Sequence, residues 1–193
     1  LPDGALWIRV NSLADPAVVE RFDRALGDAR EGREPRGLVL DLRETSWTPG
    51  GGRGREHGYA ILARLIDRPF LTSSWRTPQY RDRAAFTGPV AVLASPRTAG
   101  PAEDLLVAFR NGSRGPIIGE PSAGSTGQTA ILPLARDWRL RVTVTRDAFP
   151  DGTEFMPTGI APELTVGVRV EDVLAGRDAV LERARTYLAA RHR

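Results

Sequence analysis

The 193-residue sequence contains no cysteine and, across its 27 basic residues, no lysine. Without cysteine there is no disulfide framework and no thiol chemistry, and the redox compartment leaves no trace. Without lysine every basic side chain is an arginine. Arginine stays protonated at any working pH and cannot serve as a general base, so a Ser–Lys dyad is excluded. Histidine is scarce as well, with two in the chain, His57 and His192. His192 falls in the last three residues, where frayed tails are common. His57 stands beside a glycine-rich stretch and is a weak candidate base. No apolar run reaches the length of a membrane span, and the N-terminus lacks the layout of a signal peptide. The chain opens almost at once on a strand-like pattern, as expected of a fragment whose leader or upstream domain was removed. No metal or cofactor is expected.

The apolar fraction of 41% and charged fraction of 26% are those of an ordinary globular protein. The length suits one domain, residues 1–193, with a sizeable core. The net charge is +3, and arginines alternate with acidic residues along the chain. This pattern fits a solvated, salt-bridged surface, so no nucleic acid partner is expected. Arginine in place of lysine, with many Ala and Gly, points by composition to a GC-rich bacterial gene, with the compartment open between cytoplasm and export.

Ala5–Val10 reads as a first strand after the Asp3-Gly4 turn. Asp15-Pro16 starts a helix, and Val18, Val19, Phe22, Ala25, Leu26 and Ala29 form its apolar stripe. Gly37–Arg43 is a nearly continuous apolar run, as in a strand covered on both faces. Strand, helix and buried strand make a βαβ unit and imply a mostly parallel sheet. A Gly50-Gly51-Gly52 triplet follows, taken alone a flexible turn. Gly58–Arg68 has a helical stripe stopped by Pro69, and Phe70–Tyr80 is extended and aromatic, with Trp75 and Tyr80. Val90–Ala94 is another strand. A helix carrying Ala102, Leu105, Leu106 and Phe109 on one face leaves it and ends at Asn111-Gly112, where a left-handed residue is expected. Gly115–Pro121 is the next strand. Ser122–Gln128 is rich in Gly and hydroxyls but lacks the ending of a P-loop. Thr129–Leu134 and Trp138–Thr145 alternate like a hairpin with Arg136-Asp137 near its tip, and Phe149–Gly152 is a turn. Val173–Ala190 is expected as one closing helix with Leu174, Val180, Leu181, Ala184, Tyr187 and Leu188 on its buried face.

The junction at Arg97–Phe109 organises the rest. A strand feeding a tight turn at a helix head is a place where nucleophiles are held. The four residues Gly100-Pro101-Ala102-Glu103 resemble the Ser-Ala-x-Glu nucleophile turn of the C-terminal processing peptidases, or tail-specific proteases, and the related tricorn-type peptidases. Asp41-Leu42-Arg43 followed by the glycine triplet resembles that family's Asp-Leu-Arg-x-Asn-x-Gly-Gly segment, though Glu44–Pro49 makes the gap long. Ser122–Gln128 resembles its lysine-bearing glycine loop, and Gly159–Leu164 resembles its Gly-Ile-x-Pro-Asp-Ile. The likeness runs from about Leu6 to Leu188.

The resemblance implies a crotonase-like α/β/α core with a mostly parallel sheet and a β-hairpin. It implies a serine peptidase acting on a peptide or an unfolded protein C-terminus. It places the nucleophile at Gly100, the base at Ser125, the oxyanion region at Gly50, Gly51 and Pro101, and the substrate groove at Trp75 and Tyr80. The residues depart from that pattern. Gly100 has no side chain, Pro101 has no N–H, and Ser125 stands at the lysine position. The sequence therefore predicts a peptidase-family domain that is weak or inactive. A shifted register leaves Ser95, Thr98 or Ser125 as replacement nucleophiles. The alternative is a non-catalytic module that binds a peptide or a hydrophobic ligand on the same fold.

Overall fold

The computed structural model describes residues 1–46, 54–73, 86–127 and 129–191. In chain order the elements are β1 (Leu6–Arg9), α1 (Ala17–Gly32), β2 (Leu38–Asp41), α2 (Gly54–Leu62), β3 (Val90–Ala94) and α3 (Pro101–Asn111). After these come β4 (Ile117–Gly119), β5 (Thr129–Pro133), β6 (Arg139–Thr143), β7 (Leu164–Thr165), α4 (Val170–Leu174) and α5 (Ala179–Arg191). Five strands form one sheet in the order β1-β2-β3-β4-β7, every neighbouring pair parallel. The apolar runs at Gly37–Arg43 and Val90–Ala94 thus lie side by side, with Leu38 opposite Val90 and Leu40 opposite Val92.

Strand side chains alternate between faces, and here each face has its own core. Leu38, Leu40, Val90, Val92 and Ile117 pack with residues of α1, α2 and α3. Val39, Ala91, Leu93 and Ile118 pack with Val180, Ala184 and Leu188 of α5. The central strands are apolar throughout because both faces are covered, which is why they read as runs rather than as alternations. Helix α3 is the innermost helix. All residues from Ala102 to Phe109 are buried, so its outer side is roofed by α2 rather than by water.

Three expectations change. The helix predicted over Gly58–Arg68 begins four residues earlier, at Gly54, and ends at Leu62, well short of the Pro69 stop. The left-handed residue after α3 is Ser113 (φ 47), while Gly112 stays right-handed with φ −67. The closing helix is two helices, α4 and α5, parted at Gly176, which turns left-handed with φ 64. The apolar spacing carries on in step across this break, which hides it in the sequence. Leu174 is consequently 83% exposed and leaves the predicted buried face. Leu174→Ser should change unfolding free energy by no more than about 0.5 kcal/mol, whereas Leu188→Ala should cost about 2–5 kcal/mol. Urea titration of both variants checks the placement.

Strands β5 and β6 pair as an antiparallel ribbon separate from the main sheet. Arg136, with φ 61, makes the tip. Gly124 (φ 66) and Gly159 (φ 81) bring two loops into contact. A Cβ on Gly159 would lie 2.0 Å from the Ser122 carbonyl oxygen, and one on Gly124 would lie 2.3 Å from that of Pro157. This close approach presses the 122–127 loop against the segment that leads back to β7.

Candidate active site

Strand β3 ends at a turn fastened to the end of β2. Ser95 Oγ donates to the Arg43 carbonyl (2.6 Å), Thr98 Oγ1 donates to the Leu42 carbonyl (2.9 Å), and Ala99 N–H donates to the Thr45 carbonyl (3.0 Å). Both hydroxyls raised as replacement nucleophiles in this turn are therefore tied to backbone oxygens.

Gly100 follows as the N-cap of α3, with φ 61 and ψ −126. Glycine enters this mirror-β region freely, and an L-residue does so only under strain. The N–H groups of the turn point inward. Gly100 N–H donates to the Ser125 carbonyl (2.8 Å) and to Glu103 Oε2 (3.3 Å). The amides of Ala102, Glu103 and Asp104 reach the carbonyls of Ala99, Gly100 and Gly100 at 3.4, 2.9 and 3.4 Å. Pro101 has no N–H to offer. From Ala99 to Asp104, then, no backbone donor remains for a substrate carbonyl. Because Gly100 has no side chain, only half of a capping box exists, the half supplied by Glu103.

Glu103 is fully buried. Its carboxylate accepts from Ser122 Oγ (2.6 Å), Gly124 N–H (2.7 Å), Ser125 N–H (2.9 Å) and Gly100 N–H. Ser122 Oγ in turn accepts from Ile160 N–H at 2.8 Å. Burial pushes the Glu103 carboxyl above its ordinary range, and the donors from Ser122, Gly124, Ser125 and Gly100 oppose that rise. The loop predicted to carry the base is thus stitched to the first turn of α3.

Asp104, next along the helix, forms a second buried cluster. It accepts from Ser73 Oγ and from Arg55 Nε (2.8 Å), and Arg55 also reaches Asp147 at 2.8 Å. Burial raises Asp104 to about 6, against the pull of Arg55 and Ser73 and with a further push from Asp147. This cluster joins α2, the segment after it, the exit of the hairpin and α3. Neither Glu103's bonds nor the Asp104 cluster was legible in the sequence. A Glu-Asp pair at the head of an otherwise apolar helix is the signal that points to them.

Ser125 is exposed, and its backbone lies against Gly100. Pro101 abuts Gly54 so closely that a Cβ there would come within 2.8 Å of Pro101 Cγ. His57, one turn further along α2, is half-buried, and its Nδ1 lies 2.7 Å from the Leu13 carbonyl. A carbonyl only accepts, so Nδ1 carries the proton. Gly50 and Gly51, expected in the oxyanion region, and Trp75 and Tyr80, expected in the groove, lie outside the described residues. Among the described residues no group of His, Asp and Glu side chains could hold a metal ion.

The model of peptidase family S41 matches residues 5–166. The chain belongs to peptidase family S41. It is 28% identical over 141 residues to the chloroplastic C-terminal processing peptidase of Tetradesmus obliquus, an alignment covering 69% of this chain and 29% of that protein. This S41 chain therefore spans less than a third of the length of that curated relative. A solved structure from Parabacteroides merdae, described as a candidate peptidase, superposes with a TM-score of 0.80 at 19% identity, over 97% of this chain and 62% of the other. The tricorn protease superposes with a TM-score of 0.67 at 14% identity, over 97% of this chain and 18% of tricorn. These structures share its fold. The family is one of peptidases, which act on proteins. No helix among the described residues is long and apolar enough to cross a membrane.

Proposed function

We propose that this S41 domain binds an extended peptide or an unfolded protein C-terminus and does not cleave it at a significant rate. The observation that carries the reading is the turn at Gly100. An acyl-transfer peptidase needs a nucleophile, a base and donors aimed at the oxyanion. The turn offers no side chain at Gly100 and no N–H at Pro101, and its neighbouring amides are engaged within the protein. Lysine is missing from the sequence altogether, so no amine can act as the base, and Ser125 stands where the resemblance places one. Peptide binding has no such requirement, because an extended segment is held by strand addition and by pockets for its side chains.

Incubation with an unstructured protein substrate near neutral pH tests the proposal. No turnover is expected from the unmodified chain, while a labelled peptide should still bind. A burst of product abolished by Ser125→Ala would overturn the reading and place the nucleophile on the exposed hydroxyl of the 122–127 loop.

A further inference from the structure

Thr126 has one hydroxyl proton and two acceptors within reach. Its Oγ1 lies 3.2 Å from the Gly100 carbonyl oxygen and 3.4 Å from Asp104 Oδ2. Both contacts are long for an O–H···O bond, as expected when one proton is divided between two acceptors.

The charge around Asp104 bears on which acceptor wins. The side chains of Asp104 and Asp147 are 2% and 5% exposed, and both pair with Arg55, itself 24% exposed. Among the described residues two buried carboxylates share one guanidinium, which leaves that set with one negative charge in excess, and burying an unpaired charge is costly. One proton removes the excess. Among the described residues, the groups facing Asp104 are Arg55 and Tyr59 from α2, Ser73 from the segment after it, Asp147 from beyond β6 and Thr126 from the loop. On its own helix, Glu103 turns its carboxylate away to the loop amides. The Tyr59 phenol, pushed up to about 12 by burial and by the Asp104 charge, keeps its proton throughout.

We propose that Asp104 is a proton-operated latch on the Gly100 turn, taking a proton from solvent and thereby releasing the Thr126 hydroxyl to the Gly100 carbonyl. With Asp104 ionised, the carboxylate is the stronger acceptor and holds the Thr126 proton. The Gly100 carbonyl then keeps only the amides of Glu103 and Asp104. With a proton on Asp104 Oδ2, that O–H donates to Thr126 Oγ1, and the threonine's own proton turns to the Gly100 oxygen. One hydroxyl rotates, no heavy atom has to move, and the net uptake is one proton. The Gly100 turn gains a third donor on its carbonyl as the pH falls.

The sign follows from linkage. Burial raises the folded-state value of Asp104 from 3.8 to about 6, so the stability it contributes is lost as pH rises through about 6. It is regained as pH falls toward 3.8, by about tenfold in the folding constant per pH unit. Glu103, also pushed up by burial, acts in the same direction as Asp104, while Asp3, Asp15, Asp151 and Asp178 are held below 3.8 and act in the opposite direction, at lower pH.

The test follows the Asp104 side-chain carboxyl carbon and the Gly100 carbonyl carbon by NMR across about pH 4.5–8, in the unmodified protein and in Thr126→Val. In the unmodified protein the two should shift together with one midpoint near 6. In Thr126→Val the Asp104 carbon should still titrate while the Gly100 carbon stays flat. Asp104→Asn, which imitates the protonated acid, should reduce the gain in urea stability between about pH 7 and 4.5 to the part that Glu103 contributes. An Asp104 midpoint below about 5, or a Gly100 carbon that ignores the Asp104 titration, would overturn the latch. If either variant fails to fold, the titration of the unmodified protein still decides. No outcome depends on peptidase turnover, so this inference and the proposed function fail separately.

Discussion

Gly100→Ser combined with Pro101→Ala should cleave an activated ester roughly a hundred- to a thousandfold faster than Gly100→Ser alone, the range expected from one oxyanion donor. If the proposed reading of the turn holds, serine at position 100 supplies an attacking oxygen at the head of α3, and Pro101 still leaves the developing oxyanion without a backbone N–H. Alanine at 101 returns that N–H at the first helical position, where no intrahelical partner claims it. An ester is the right probe because its leaving group needs little protonation, and the chain has no lysine to take or return a proton. Serine must also accept φ 61 and ψ −126, a strain of about 1–3 kcal/mol, so both variants should unfold at lower urea than the parent. Equal kcat/KM for the single and double variants would remove Pro101 from the oxyanion region.

Glu103→Ala should lower the unfolding free energy by about 3–5 kcal/mol, or prevent folding at ambient temperature. The carboxylate receives the Gly100, Gly124 and Ser125 amides and the Ser122 hydroxyl. Removing it leaves the Ser122 hydroxyl and the Gly124 and Ser125 amides without that acceptor, while the Gly100 amide keeps the Ser125 carbonyl, and the loop loses its hold on α3. Glu103→Gln should cost less, because one oxygen still accepts while the new NH2 faces donors. Chemical denaturation checks the order, and a loss below about 1 kcal/mol for alanine would mean that water takes the carboxylate's place. Amide exchange at Gly124 and Ser125 should accelerate in the same variants, since their N–H groups donate to Glu103.

The sheet was legible because its signal is local. Gly37–Arg43 and Val90–Ala94 are apolar runs between polar loops, and such runs are strands when helices cover both faces. The hairpin was legible from its alternation, and its register pairs Leu132 with Leu140 and Ala130 with Val142. The break at Gly176 escaped because Leu174 and Leu181 are spaced as one helix would space them. The start of α2 at Gly54 escaped because glycines there read as loop, whereas the close approach of Pro101 gives Gly54 its place in a helix.

The site divides along the same line. The missing chemistry is written in the residues themselves: no side chain at Gly100, no N–H at Pro101, no lysine anywhere in the sequence. Those are covalent facts, and folding cannot alter them. What the remaining polar groups do depends on how the chain folds. Glu103 meets Gly124 across 21 residues, Arg55 meets Asp104 across 49, and Arg55 meets Asp147 across 92. Contacts at such separations have no period in the sequence. They exist because the parallel sheet brings the ends of β2, β3 and β4 to one edge, where buried charges must find partners or protons.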